Sequence, residues 1–321
     1  MKQPIRLRWV LAHVPYDLFL RSANLFAQKV LEKSQGQIEI EIMGMPEFSE
    51  KYLIPAGKPA VTHVSEVIDL VNAGVIEMSQ LVNTEMANIS RNLSVLEMPF
   101  IFKNHDHATR VLDGEIGREL LNDLAKSSNL KGLSFTYSGG FQMVVANEPL
   151  MTAKDFEGKR VRTGWTDVAS DTFKSVGADP VAVRISETAD AIMKDLVDVG
   201  ENTWARYYRS GLNEVSNFVS ETKHSLFLTC IIMNQHVWNQ FDSEMQTFMQ
   251  EAAIEAAVSE RLESLADGEQ AKKQAIQDGI TVYEWKEEDL AQLQKATEVL
   301  YDQYKDYFSV GLIDSIKHAG K

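Results

Sequence analysis

The sequence has a single cysteine, Cys230, among its 321 residues. One cysteine excludes an intramolecular disulfide bond and the metal sites that are built from several cysteines. Cys230 lies in the apolar run 226–233, which predicts a buried side chain. No apolar run reaches the length that a membrane-spanning helix needs, so we expect no direct insertion into a membrane.

The chain also lacks an excess of positive charge. Its 32 basic and 46 acidic residues give a formal net charge of -14 at pH 7. Nucleic acids and anionic membrane surfaces attract basic patches, so this balance argues against both as partners. An anionic ligand would have to be held by positive charge concentrated in one place.

Sequence motifs of common catalytic sites are missing as well. There is no glycine-rich phosphate loop, no His-Glu-x-x-His pair and no Gly-x-Ser-x-Gly elbow. His105 and His107 have no accompanying cluster of metal ligands, and their position favours a solvent-exposed loop at a helix start. We therefore predict a protein that is not an enzyme and that holds no cofactor or metal.

The residues that are present indicate an α/β protein. With 44% apolar and 24% charged residues, the chain is typical of a globular protein and is long enough for two lobes. Ile5, Leu7 and Trp9 alternate with arginines, which predicts a strand, and an apolar helical face follows between residues 19 and 30. A second alternating run, 38–42, completes a parallel strand–helix–strand unit.

Further patterns along the chain divide it into two lobes. The periodicity predicts an irregular excursion over 46–61, a helix over 106–125, a helix capped by Thr166 or Asp167, and a helix capped by Ser186. Residues 138–140 are the first predicted crossing, the strand 226–233 leads back, and a long helix over 243–268 spans both lobes. We assign residues 1–138 and about 228–267 to lobe I, and 139–227 and about 268–321 to lobe II. We expect a ligand cleft between these lobes and a hinge that closes it.

The most informative segment is 156–163, in which a glycine turn leads into a short basic strand that includes Arg162. A guanidinium group offers a planar, two-pronged set of donors that matches a carboxylate. Taken alone, such a strand is also typical of an exposed basic surface. A second block, 197–202, ends in Glu201 and Asn202 and completes the unit.

Together with segments elsewhere, these blocks resemble the solute-binding subunits of tripartite ATP-independent periplasmic (TRAP) transporters, in the branch named for C4-dicarboxylate binding. The resemblance covers nearly the whole chain in the expected order. Its remaining segments are 9–13, 26–30, 35–38, 96–100 and 222–224. It implies an α/β periplasmic binding protein of the type II-like class, with two lobes, a hinge and a long helix that spans both lobes.

The resemblance also implies the binding residues. Arg162 takes the position of the arginine that grips the ligand carboxylate, and Asn202 that of a cleft asparagine. Gln142 stands where many members of the family carry a second arginine, so we expect a ligand with one acidic group or with a neutral second end. A surface glutamine is the alternative for Gln142, and Glu201 is expected to accept backbone hydrogen bonds.

Aromatic and polar residues near these positions are further candidates. Trp165 and Trp204 are predicted to wall the cleft, which would favour an aromatic or bulky apolar ligand; the alternative is that both are ordinary core residues. Other candidate contacts are wall residues or side chains at predicted strand ends: Tyr207, Phe227, His13 and Asn83. We expect Arg184 to pair with a surface carboxylate rather than to bind ligand.

The resemblance implies an extracytoplasmic receptor that delivers a small organic acid to the membrane permease of a TRAP system driven by an ion gradient. We expect a periplasmic monomer, and we expect that a secretory signal has been removed, since residues 1–4 lack an apolar core. Two alternatives stay open. One is an enzyme on the same scaffold with Glu201 or Asp198 as general base, and the other is a sensory or partner-binding module.

Overall fold

A computed structural model of the protein describes residues 4–14 and 16–319. Residues 1–3, on which part of the expectation about a secretory signal depends, lie outside these ranges. The strands are β1 Ile5–Leu11, β2 Ile38–Gly44, β3 Met78–Val82, β4 Leu130–Phe141, β5 Met143–Ala146, β6 Arg160–Thr163, β7 Asp179–Ala182, β8 Val199–Asn202, β9 Phe218–Glu221, β10 Leu226–Asn234 and β11 Thr281–Glu284. The helices are α1 Asp17–Lys33, α2 Met45–Phe48, α3 Val64–Asn72, α4 Asn83–Ile89, α5 His105–Leu112, α6 Glu115–Ser127, α7 Asp167–Lys174, α8 Thr188–Met193, α9 Gln235–Trp238, α10 Ser243–Gln277, α11 Glu287–Thr297, α12 Val299–Gln303 and α13 Leu312–His318.

The first of two compact units, unit 1, takes in the described part of Met1–Ile89, together with Leu112–Thr136 and Thr229–Glu263. Its sheet has the strand order β2-β1-β3-β10-β4. Strand β1 runs parallel to β2 and β3, which confirms the predicted strand–helix–strand unit. The apolar face of α1 packs on this sheet through Phe19 and Phe26, and Trp9 lies fully buried against Phe26. Burial of such large apolar side chains is the main stabilising contribution to the unit.

The second unit, unit 2, comprises Ser90–Val111, Tyr137–Leu228 and the described part of Ser264–Lys321. Its sheet has the order β11-β9-β5-β8-β6-β7, with β6 parallel to both β7 and β8 and with β5 antiparallel to β8. Alternate residues of β5 contribute to two apolar clusters: Val144 belongs to one, and Met143 and Val145 to the other. Both faces of this sheet are therefore covered.

Three elements continue from one unit into the other: β4, β10 and α10. In β4, Gly139 has a φ of 105°, and a Cβ there would overlap Thr203 Oγ1. The Gly139 N–H donates to Ser264 Oγ at 2.7 Å. Only glycine meets both the backbone and the packing requirement at this position.

The assignment of residues to lobes stays a prediction, but the observed units divide the chain differently at one place. Ser90–Val111 belongs to unit 2, whereas the sequence pattern assigned this segment to lobe I. Hydrogen bonds within unit 2 hold the segment. The Phe100 N–H donates to His224 O, and His107 Nε2 donates to Ile316 O, both at 2.7 Å.

Several predictions are confirmed, including the buried Cys230 and the cap of α7, where Thr166 Oγ1 accepts from the Ala169 N–H. Others are corrected. The predicted irregular excursion over 46–61 is helical in its first part, where α2 continues into a π-helical turn over Ser49–Leu53 and a 3-10 turn over Ile54–Ala56; residues 58–61 form no helix or strand, as predicted. Ser49 stabilises it by donating to Met45 O and accepting from the Val61 N–H.

Three predicted helices have other bounds in the structure. The single helix predicted over 106–125 is two helices, α5 and α6, which are separated at the extended Gly114. Ser186 lies inside a 3-10 turn over Ile185–Glu187 and does not cap α8. Helix α10 extends to Gln277, beyond the predicted end at residue 268. Across the described residues, no helix combines the length and apolar character that crossing a membrane requires.

Candidate functional site

Three of the predicted binding residues lie at one end of the sheet of unit 2. Strands β6 and β8 are parallel, with Arg162 paired to Gly200, so Asn202 ends β8 on the same face of the sheet as Arg162. Strand β5 is antiparallel to β8, with Met143 opposite Asn202, so Gln142 precedes β5 at this same end. The fold therefore brings Arg162, Asn202 and Gln142 together from three adjacent strands.

Arg162 is a buried cation, and the alternative of an exposed basic strand is excluded because only 6% of the residue is exposed. Its Nε donates to Val183 O at 2.8 Å. Nη1 lies 3.5 Å from Glu201 O and 3.8 Å from the carboxylate atom Glu201 Oε2. Among the described residues, no carboxylate oxygen is within hydrogen-bond distance of this guanidinium group.

Burial lowers the pKa of Arg162 to about 10, and the nearby Glu201 charge opposes this shift. The side chain therefore remains protonated at neutral pH. A buried charge is costly unless a partner of opposite charge compensates it. Glu201 supplies part of this compensation from 3.8 Å, and the guanidinium keeps donors that an external anion can use.

Asn202 adds a second polar group at this sheet end. It is fully buried, and its Oδ1 accepts from the Thr203 N–H at 2.8 Å. Its Nδ2 has no hydrogen-bond partner within the described part of the chain. A buried amide donor of this kind is rarely left unpaired in a folded protein, so its position beside Arg162 favours a ligand oxygen as acceptor.

Gln142 is half-buried and has a fixed backbone. Its N–H donates to Ser225 O at 2.8 Å, and its carbonyl accepts from the Lys223 N–H at 3.1 Å. The position therefore presents a neutral amide and no positive charge. Arg184 does not replace the missing charge here, since it pairs with Glu187 at 3.0 Å on the surface, as predicted.

Glu201 is engaged by a side chain, which corrects the prediction that it accepts backbone hydrogen bonds. His224 Nε2 donates to Glu201 Oε1 at 2.9 Å, and His224 Nδ1 lies 2.8 Å from Thr222 Oγ1. All three residues are buried. The sequence analysis assigned no role to His224, and the segment 222–224 was the only signal that could have drawn attention to it.

The other candidate general base, Asp198, is also held by the protein. Its carboxylate accepts from the backbone N–H of Arg160 at 2.8 Å and from the guanidinium of Arg160 at 2.6 Å. These hydrogen bonds lower the pKa of Asp198. A carboxylate with a lowered pKa is a weaker base, so Asp198 is poorly suited to abstract a proton.

Of the predicted wall aromatics, Trp204 and Tyr207 have packing roles. Their rings lie 5.3 Å apart in the cluster that contains Met143 and Val145, and Trp204 Nε1 donates to Glu221 Oε1 at 2.7 Å. Tyr207 is fully buried. Their predicted ligand contacts stay predictions that this packing does not favour, because core rings present little surface to a ligand.

Trp165 and Phe227 differ from these core residues. Trp165 is 57% exposed in the loop between β6 and α7, three residues beyond Arg162. Phe227 is half-buried on β10. An exposed indole close in sequence to a buried cation has free surface for an apolar or sugar-like ligand face.

The two predicted residues of unit 1 lie at the carboxyl ends of neighbouring parallel strands. His13 follows β1, with its ring 5.1 Å from that of Phe19. Asn83 begins α4 directly after β3. Both side chains are buried. Their proximity at one edge of this sheet agrees with the expected strand-end positions, and their contacts with ligand stay predictions.

No group of three or more potential metal ligands occurs in the part of the chain that the structure describes. His107 is buried in the first turn of α5, which corrects the expectation of a solvent-exposed loop. Both of its ring nitrogens are used: Nδ1 accepts from the Lys103 N–H at 3.2 Å, and Nε2 donates to Ile316 O.

Comparison with known proteins gives the family. The model of "bacterial extracellular solute-binding protein, family 7" matches residues 14–306. A solute-binding protein of Chromohalobacter salexigens is 28% identical over 88% of this chain and 80% of its own length. The C4-dicarboxylate-binding protein DctB of Bacillus subtilis is 26% identical over 91% of this chain and 80% of its own length.

A solved structure shows the same fold. It is a TRAP periplasmic solute binding protein from Chromohalobacter salexigens with bound D-glucuronate, with a TM-score of 0.84 and 24% identity over 98% of this chain and 99% of that chain. The predicted fold class, a two-lobed α/β periplasmic binding protein, is confirmed. Because the family model covers most of the sequence, this chain belongs to the bacterial extracellular solute-binding protein family 7, which confirms the predicted identification as a transport solute-binding protein.

Proposed function

We propose that this protein is the periplasmic receptor of a TRAP uptake system and that it binds a small organic acid with one acidic group at Arg162. The receptor then delivers the acid to the membrane permease, which uses an ion gradient. The named relatives support an acidic ligand: one is called a C4-dicarboxylate-binding protein, and another protein of the same fold holds D-glucuronate. Both compounds carry a carboxylate.

The observation that carries this proposal is the state of Arg162. The residue is 6% exposed and protonated at neutral pH, and no carboxylate among the described residues hydrogen-bonds to it. A ligand carboxylate would supply the missing partner through two parallel N–H···O bonds. Asn202 Nδ2 would donate to the same group or to a neighbouring ligand oxygen.

Gln142 supports a ligand with one acidic group. A second ligand carboxylate near Gln142 would lose its hydration and gain contact only with a neutral amide. An amide compensates less of this lost solvation than a guanidinium group does. Hydroxyl and carbonyl oxygens suit an amide well. We therefore favour a sugar acid or a hydroxy acid over a C4-dicarboxylate.

Other residues are proposed contacts of the same ligand. The exposed face of Trp165 would pack on an apolar or ring face, and His13 and Asn83 of unit 1 would add polar contacts. The cleft between the lobes, its closure and a monomeric state stay predictions. The enzyme alternative is less well supported, because Glu201 is held by His224 and Asp198 by Arg160.

A binding screen tests the proposal. Thermal unfolding and isothermal titration would compare D-glucuronate, succinate and methanesulfonate with D-glucose, which has the same ring as D-glucuronate but no acidic group. A true ligand raises the apparent stability by about 2.7 kcal/mol at 100 times its Kd. We expect a concentration-dependent rise in Tm with a monoacid and none with D-glucose. A neutral sugar that binds as tightly as the acids would contradict the proposal.

A further inference from the structure

A buried chain of polar side chains leads away from Arg162 inside unit 2. Thr222 Oγ1 lies 2.8 Å from His224 Nδ1, His224 Nε2 donates to Glu201 Oε1 at 2.9 Å, and Glu201 Oε2 lies 3.8 Å from Arg162 Nη1. Each of these side chains is almost fully buried. The contacts are therefore shielded from water and stronger than the same contacts on a surface.

The two oxygens of Glu201 have different environments in this chain. Oε1 accepts a hydrogen bond of ordinary length from His224, whereas Oε2 is too far from Arg162 to accept one. At 3.8 Å the carboxylate still attracts the guanidinium through space. It thus compensates part of the buried positive charge without using any N–H group of Arg162.

A closer approach would change the binding site. If Glu201 turned toward Arg162, the pair would form a direct, charge-assisted hydrogen bond of about 2.8 Å. The carboxylate would then occupy the donors that a ligand anion needs and would neutralise the cation. Because both groups are buried, little solvent would be available to weaken such a pair.

The position of His224 is fixed by its backbone and its neighbours. The His224 carbonyl accepts from the Phe100 N–H at 2.7 Å, and the edge of the His224 ring contacts the ring of Phe173, with the centroids 5.2 Å apart. Lys223, the preceding residue, has a φ of 47°, in the left-handed region that few non-glycine residues adopt. Its N–H donates to Gln142 O. A locally unfavourable backbone held in this way indicates that the surrounding structure determines where His224 lies.

We propose that His224 is a positioning residue that holds the Glu201 carboxylate away from Arg162, so that the guanidinium remains able to bind the acidic group of a ligand. This inference rests on the proposed role of Arg162 in ligand binding. His224 itself does not touch the ligand in this account. Its effect on affinity passes through Glu201.

A purely structural role for His224 makes a different prediction. If His224 only fills space beside Phe173, its replacement lowers stability and affinity, and a change at Glu201 does not restore binding. If His224 restrains Glu201, removing the carboxylate charge restores binding even when His224 is absent. The double variant therefore separates the two roles.

The test compares His224→Leu, which cannot donate, with His224→Gln, whose amide N–H can replace Nε2. Crystal structures of the wild type and His224→Leu should show the distance from Arg162 Nη1 to Glu201 Oε2 falling from 3.8 Å to about 3 Å. Titration with D-glucuronate should show a loss of ~10-fold or more in His224→Leu and less than about threefold in His224→Gln. The double variant His224→Leu/Glu201→Gln should bind within about threefold of Glu201→Gln alone.

The other outcomes distinguish a failure of this inference from a failure of the proposed function. An unchanged distance and wild-type affinity in His224→Leu, while Arg162→Met no longer binds, would overturn this inference and leave the proposed function intact. A loss that Glu201→Gln does not restore would assign His224 a structural role only. Wild-type affinity in Arg162→Met would instead contradict the proposed function. If D-glucuronate does not bind the wild type, the distance from Arg162 Nη1 to Glu201 Oε2 in the two crystal structures decides whether His224 restrains Glu201. If His224→Leu does not fold, His224→Met takes its place.

Discussion

Replacing Arg162 with methionine removes the buried charge and keeps a long apolar side chain in its place. A ligand carboxylate bound there would then be buried without its partner, which costs ~3–5 kcal/mol. Since each 1.4 kcal/mol is about a factor of ten, the affinity for an organic acid should fall by ~100- to 4,000-fold.

The same change should affect the stability of the ligand-free protein far less. Burial lowers the pKa of Arg162 to about 10, which corresponds to a penalty of about 3 kcal/mol for the charged form. Because the pKa of this basic group is lowered in the folded state, the penalty is present at neutral pH and disappears only as the pH rises from about 10 to the ordinary pKa of arginine. Arg162→Met removes the penalty but also loses the hydrogen bond from Nε to Val183 O and the attraction to Glu201. We expect these effects to offset each other to within about 1–2 kcal/mol.

The assay is isothermal titration with the acid that gives the largest thermal shift, together with urea unfolding of the free protein. Arg184→Met is the matched control, since Arg184 is an arginine of the same unit that pairs with Glu187 on the surface. This control should keep wild-type affinity. Equal affinities of Arg162→Met and the wild type, with both proteins folded, would refute the reasoning.

Four other predictions concern the same unit. Gln142→Arg should supply a second cation and improve the affinity for succinate relative to a monoacid by ~10-fold, as measured by titration. Asn202→Asp keeps the oxygen that accepts from the Thr203 N–H and replaces the amide donor Nδ2 with a negatively charged oxygen. The affinity for acids should therefore fall at least ~10-fold, and unchanged affinity would place the ligand elsewhere. Gly139→Ala should lower the free energy of unfolding by ~2 kcal/mol or more, because φ is 105° and the new Cβ overlaps the side chain of Thr203. The control Gly279→Ala, with φ of 87° and no atom within 4 Å of the new Cβ, should lower that free energy by only ~1 kcal/mol. Wild-type affinity should stay constant from about pH 7 to 9, because Arg162 keeps its proton across this range, and a loss of binding within it would contradict an arginine anchor.

Local periodicity was sufficient to predict much of the fold. The alternation of Ile5, Leu7 and Trp9 identified β1: Leu7 and Trp9 are buried in the cluster that includes residues of α1, whereas Ile5 at the start of the strand is exposed. The cap at Thr166 was predictable because a threonine oxygen accepts from a backbone N–H three residues later. The candidate site was predicted as far as its strand-end residues, Arg162 and Asn202, since the resemblance fixes their positions in the sequence.

What the sequence did not predict depends on contacts between distant residues. The excursion is helical as far as Ala56, and Ser49 there bonds both to Met45 and to Val61; no local pattern reveals the second contact. Trp204 and Trp165 have similar settings in the sequence, yet one is buried in a core cluster and the other is exposed. The interaction of His224 with Glu201 joins residues on different strands and loops, and only the fold brings them together.

A crystal structure of the protein with the acid that binds best in the titration screen tests the central claim most directly. The account predicts an acidic group whose oxygens lie about 2.7–3.0 Å from the guanidinium nitrogens of Arg162, with Asn202 Nδ2 donating to the same ligand. Arg162 hydrogen-bonded directly to Glu201, with the acid bound at another place, would contradict it.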